Sequence, residues 1–135
     1  MVIRYLLDTN TASYIIKGNV YAVRRRLLEV PIEQVAVSTV TEGELLYGIA
    51  RLPEAKNLKA LVSEFLLSLT ILPWNSEAAQ QYGRLRASLE AKGQTMGNLD
   101  MMIGAQALAS DLVLVTHDKA FKRIEKLKIE DWTRP

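Results

Sequence analysis

The sequence predicts a three-layer α/β/α sandwich with a mainly parallel central sheet. Three observations carry that expectation. The runs "VIRYLLD", "QVAVS" and "DLVLVT" are continuously aliphatic, as strands buried on both faces are. They alternate with longer segments of helical periodicity, and helices crossing over between strands cover such a sheet. The chain has 135 residues, 49% hydrophobic and 24% charged, a balance and length that support one ordinary buried core.

Taken in order, "VIRYLLD" reads as the first strand. "TNTASYIIKGN" supplies cap residues and a short helix closed by Gly18, and "YAVRRRLLEV" a second helix with Arg24, Arg25 and Arg26 toward solvent. "QVAVS" is the second strand, and "TVTEGELLYGIARL" a helix that stops before Pro53. "EAKNLKALVSEFLLSL" is an amphipathic helix and "TILP" a short strand. In "NSEAAQQYGRLRASLEAKG", Ala78, Tyr82, Leu85 and Leu89 fall at helical spacing, with Gly93 as the stop. "LDMMIGAQALAS" is a strongly apolar helix, "DLVLVT" a strand, "DKAFKRIEKL" a short helix and "KIEDW" a last edge strand. Right-handed crossovers restrict the strand order without choosing it.

Composition excludes several chemistries. There is no cysteine, so disulfides, thiolate metal sites and a cysteine nucleophile are all absent. The net charge of +2, from 17 Lys and Arg against 15 Asp and Glu, permits nucleic-acid binding but does not argue for it. No apolar run approaches the roughly 20 residues that span a bilayer. The N-terminal apolar stretch is too short for a signal peptide, so a cytoplasmic protein with no membrane partner is expected.

The acids are the informative residues. Asp8 closes the first strand, Asp118 follows "LVLVT", Asp100 opens the apolar helix, and Glu44 lies early in the helix after "VAVS". In a parallel sheet, strand C-termini and the helix starts that follow share one edge, where ligand sites form. Asp8, Glu44 and Asp118 are therefore expected at one edge, joined by Asp100 if its helix starts there. Carboxylates gathered without matching cations call for a divalent ion, and an all-oxygen set suits Mg²⁺ or Mn²⁺. Such a site favours phosphodiester hydrolysis.

Each acid also has a plainer reading. Asp100 can answer the helix dipole, and Asp8 and Asp118 can cap the helices they precede. Thr41 with Glu44, and Thr39 with Glu42, both fit a capping box. On a helical wheel, Glu42 lies closer than Glu44 to the apolar side formed by Leu45, Leu46 and Ile49, so periodicity leaves Glu42 and Glu44 as competing candidates.

Four blocks, "LLDTN" at 6–10, "VSTVTEGELLYG" at 37–48, "GNLDMMIGAQAL" at 97–108 and "LVTHDKAFKRI" at 114–124, resemble the PIN domain, and more closely the VapC toxins of VapBC toxin–antitoxin modules. The resemblance runs over nearly the whole chain and treats residues 1–135 as one PIN domain. It implies a Mg²⁺-dependent endoribonuclease toxin, with Mn²⁺ as a substitute, that cuts RNA, tRNA foremost, and so inhibits translation. It assigns the catalytic, metal-holding acids to Asp8, Glu44, Asp100 and Asp118, selecting Glu44 over Glu42. Asn10 and Thr116 match supporting polar positions. His117 replaces an amide of the family pattern and inherits no role. The resemblance also implies a homodimer neutralised by a VapB-like antitoxin, with DNA met only through that antitoxin.

On this reading a water attacks phosphorus in line and leaves a 3′-hydroxyl and a 5′-phosphate. Lys119, Lys122 and Arg123, close in sequence to Asp118, are candidates for gripping the RNA backbone, with Lys126 and Lys128 beyond them. The Arg24–Arg26 run suits a solvated helix face at least as well. Tyr47, Leu66 and Leu67 would serve either a dimer face or the core, the core being the commoner fate of such side chains. A phosphoacceptor receiver domain would need an aspartate in mid-chain, and none lies between Asp8 and Asp100. A phosphatase with an aspartate nucleophile would place a second aspartate where Asn10 stands. The remaining alternative is a catalytically silent PIN-like module that binds RNA or a partner, for which loss of the acids would be the mark.

Overall fold

The computed structural model describes residues 2–135. Its central layer holds β1 (Tyr5–Leu7), β2 (Val35–Ser38), β3 (Thr70–Leu72), β4 (Val113–Val115) and β5 (Ile129–Glu130). Their order is β3-β2-β1-β4-β5, and every pairing is parallel. The first strand therefore lies at the centre, with β2 on one side and β4 on the other. That is the switch point of a parallel sheet, where the crossovers part and leave a crevice beyond the strand ends.

The continuous aliphatic runs have a simple cause. Side chains alternate across a strand, and both faces of this sheet are covered. Leu6 enters a core with Leu85, Leu89, Ile103 and Leu114, whereas Tyr5 and Leu7 enter a second core with Val23, Val37, Val62 and Phe65. The covering helices are α1 (Thr9–Lys17), α2 (Tyr21–Glu29), α3 (Thr39–Ala50), α4 (Lys56–Ser68), α5 (Ser76–Ala91) and α6 (Asn98–Ala109). Gly18 ends α1 at φ 65° and Gly93 follows α5 at φ 67°, the left-handed conformation that glycine adopts without steric cost.

The apolar helix α6 is buried at Met101, Ile103, Gly104, Ala105, Gln106 and Ala107, on more than one side. Gly104 permits its closest approach, since a Cβ there would lie 2.6 Å from Cδ1 of Ile124. Gln106 donates to the carbonyls of Leu72 and Pro73, and Trp74 donates its indole N–H to the Met102 carbonyl, tying the turn after β3 to α6.

Three expectations are corrected. The segment after Asp118 is a 3-10 turn over Lys119–Arg123 rather than a short helix. Phe121 and Ile124, three residues apart, both enter the core, a spacing that a three-residue turn aligns. Neither capping box forms at α3. Ser38 is the N-cap and accepts from the Val40 N–H, so Thr39 and Thr41 already lie within the helix. Tyr47 and Leu67 are 63% and 88% exposed and belong to no core, although Leu66 does pack against one. Among the described residues, no helix is long and apolar enough to cross a membrane.

Candidate metal centre

Asp8 begins the site because β1 ends there. Its backbone continues extended, and as N-cap of α1 its Oδ1 accepts from the Thr11 N–H at 2.8 Å. Its Oδ2 accepts from the Thr116 hydroxyl, just beyond β4, at 2.6 Å. The residue is 3% exposed. Burial pushes its pKa up, opposed by the bonds from Thr116 and Thr11, and the net direction is upward. Each oxygen keeps a further acceptor site, because an ionised carboxylate offers about four in all.

Thr116 spans two acids. While donating to Asp8, its hydroxyl accepts from the Asp118 N–H at 3.0 Å, and so fixes the turn that carries Asp118. Asp118 caps that turn through the Ala120 N–H, leaving its carboxylate at the surface. Glu44, in α3, accepts from the Thr9 hydroxyl at 2.6 Å, and Thr9 also meets the Thr41 hydroxyl at 3.0 Å. Asp100 lies in the first turn of α6, whose N-cap Gly97 provides no side chain.

Asp100 lies within reach of the charges of the other three acids. Its pKa is pushed up to about 6, first by burial and then by the charges of Asp8, Asp118 and Glu44. Glu42 is not among the charges that bear on it. Of the two candidates that periodicity leaves open, Glu44 is the one whose charge reaches Asp100, and its carboxylate accepts from Thr9. Capping and clustering are also compatible, since Asp8 and Asp118 do both.

The donor set fits a hard divalent cation. It is all oxygen and carries excess negative charge, and Asp8 and Asp118 follow the C-terminal ends of the adjacent strands β1 and β4. Among the described residues no group of three acids or histidines stands as a ready-made metal cage. Glu44 has one oxygen committed to Thr9, and Asp8 has an oxygen committed to each of Thr11 and Thr116.

The other candidates divide. Asn10 is exposed and lines the cleft beside Glu44, with no side-chain hydrogen bond to an acid among the described residues. Lys119 and Lys122 are exposed beside Asp118. Arg123 is instead directed to the Thr95 carbonyl, where it holds the loop before α6. His117 turns toward the chain's end, bonded to Asp131 at 2.8 Å and Thr133 at 3.1 Å. Burial would raise the Asp131 pKa, but bonds from Thr133, His117 and Arg134 outweigh it and hold the group well below the usual carboxylate range. Sequence reasoning missed Thr9, although the quoted "DTN" contains it. Its signal was a hydroxyl one residue after a strand-ending acid.

A parallel sandwich with four carboxylates at its switch point defines a class of protein, and the comparisons name it. The PIN domain model matches residues 5–127, and the chain belongs to the PIN-domain family. Its relatives there are VapC proteins. It is 35% identical to the tRNA(fMet)-specific endonuclease VapC of Salmonella typhimurium over 97% of this chain and 99% of that one. It is 33% identical to ribonuclease VapC2 of Rickettsia felis, covering 96% of this chain and 98% of the other. Among solved structures, DNA-bound VapBC from Salmonella typhimurium superposes with a TM-score of 0.90 at 33% identity, over 97% of this chain and 99% of that one.

Proposed function

We propose that the protein is a metal-dependent endoribonuclease, the toxin of a toxin–antitoxin pair, acting on structured RNA with tRNA foremost and so inhibiting translation. The observation that carries this reading is the Thr116 hydroxyl, which bonds the Asp8 carboxylate and the Asp118 backbone at the ends of adjacent strands, with Asp100 within reach of both charges. Kinship with proteins named as ribonucleases, two of them as tRNA(fMet)-specific, supports the substrate class.

Asp8, Glu44 and Asp100 would hold Mg²⁺, or Mn²⁺ in its place, with Asp118 as a further ligand or an orienter of water. The bound ion would neutralise phosphate charge and lower the pKa of an attacking water. The chain's own residues do the rest. Thr116 and Thr11 fix both oxygens of Asp8, Thr9 turns Glu44 inward, and Asp118 can accept a proton from water at the open side. Lys119 and Lys122 are placed to meet phosphates beside Asp118, and Asn10 to support the cluster from the cleft.

A VapB-like antitoxin is the expected partner, since the similar structures include VapBC complexes, one of them bound to a promoter DNA fragment. The exposed Tyr47 and Leu67 suit a homodimer face. DNA contact is assigned to the antitoxin.

The test is cleavage of bulk tRNA during Mg²⁺ titration, with end mapping of the products. Asp8→Asn and Asp100→Asn should retain the fold by circular dichroism yet cut at background rate, and wild-type cuts should leave 5′-phosphates. Cleavage by either variant at the wild-type rate would sink the assignment.

A further inference from the structure

We propose that the cleft between α1, α3 and α4 is a pocket for one nucleobase of the RNA, beside the phosphodiester that is cut, with Lys17 and Arg51 gripping the flanking backbone. The inference rests on the ribonuclease reading above. It assigns to that site a specificity pocket outside the acid cluster.

Continuity comes first. The cleft, of about 250 Å³, is lined at one end by Thr9, Asn10 and Glu44, which belong to the acidic edge. A nucleotide with its phosphate at the acids can reach it without leaving the surface. The chemistry of the walls comes second. Leu45, Ile49 and Val62 line it with apolar surface, and Asn10 and Ser13 add polar groups. A flat heterocycle with hydrogen-bonding edges suits that combination, because its faces need apolar contact and its rim needs donors and acceptors.

Charge separates this cleft from its rival. Lys17, in the last turn of α1, and Arg51, at the C-cap of α3, both line it and are both exposed. Neither forms an ion pair among the described residues. The larger cleft beside α2 holds Arg25, Arg26 and Arg134, but each is paired there with Glu29, Glu130 or Asp131. Its cations are already answered by carboxylates, whereas no carboxylate answers Lys17 or Arg51, the latter lying over the Tyr47 ring at 5.4 Å with its charge unneutralised.

Gly48 makes the pocket testable. It lines the cleft, and a Cβ built on it meets nothing within 4 Å. A side chain there would enter empty space and would also favour the helix, since glycine is the poorer helix former. Wild type, Gly48→Leu, Gly48→Ala and the double variant Lys17→Gln/Arg51→Gln would be compared on bulk tRNA with Mg²⁺. Thermal melting and Mg²⁺ calorimetry would be measured alongside.

Gly48→Leu should keep its melting temperature and Mg²⁺ affinity while KM for tRNA rises about tenfold or more, the scale of losing one stacked base. The double variant should raise KM and lower the salt slope of binding by about one to two. Gly48→Ala should give a smaller rise in the same direction, and decides the matter if the leucine variant melts early. Wild-type KM in the well-folded glycine variants, with or without altered binding of a protein partner, would overturn the pocket while leaving the ribonuclease reading intact. A wild-type protein that cuts no RNA would overturn that reading, and the pocket with it.

Discussion

Asp100 and Thr9 show what single side chains contribute. The folded-state pKa of Asp100 is raised from 3.8 to about 6. A raised carboxylate contributes stability that is fully present below the unfolded value and is lost as pH rises through the folded one. The metal-free protein is thus strained by this group above about pH 6. Asp100→Asn should melt at a higher temperature than wild type at pH 8, with the gap narrowing toward pH 4. Equal melting temperatures at pH 8 would contradict the clustering. Thr9 acts through another residue, so its removal should weaken the metal rather than the fold. Thr9→Val is expected to lower Mg²⁺ affinity by about 10–100-fold, the usual effect of losing a ligand's supporting hydrogen bond, and Thr9→Ser to restore it. Calorimetry without RNA reads this directly, and unchanged affinity in the valine variant would exclude the role. Neither Thr9 nor the preference for Glu44 was legible from periodicity. A helix wheel knows only its own axis, whereas the hydrogen bond that distinguishes Glu44 comes from a hydroxyl in a distant part of the chain.

At the scale of elements, α6 and the turn after β4 form one mechanical unit. Gly104 lets Ile124 and Phe121 seat against the helix, and that seating sets the turn headed by Asp118. Gly104→Val should destabilise the protein by about 1–3 kcal/mol through overpacking, read as an earlier urea midpoint. The apolar composition of α6 was plain in the sequence, as were Gly18 and Gly93 as stops. The start of α3 was not. "STVTE" offers hydroxyls in several registers, and only the end of β2 at Ser38 selects one. The turn at Lys119–Arg123 was equally hidden, because an i, i+3 apolar pair serves a helix and a 3-10 turn alike. The exposure of Tyr47 and Leu67 was missed because an apolar side chain on an exposed helix surface is, by residue type, indistinguishable from one on a core face.

At the scale of the whole molecule, the proposed site would couple metal to stability. An ion that binds only the folded arrangement stabilises it, so adding Mg²⁺ at pH 8 should raise the melting temperature and EDTA should reverse it. At pH 5 protons compete for Asp100, so the same addition should have a smaller effect. An equal rise at both pH values would mean that Mg²⁺ binds elsewhere. The sheet class could be read from the sequence, but the order β3-β2-β1-β4-β5 could not, since it depends on pairings between remote segments. That order has a consequence for how the protein folds. The first strand pairs with β4, and the hydroxyl that secures Asp8 comes from Thr116, 108 residues along the chain. Asp8 therefore cannot settle until this long-range pairing has formed. A folding intermediate with β4 undocked keeps the end of β1 but leaves one carboxylate oxygen of Asp8 without its partner.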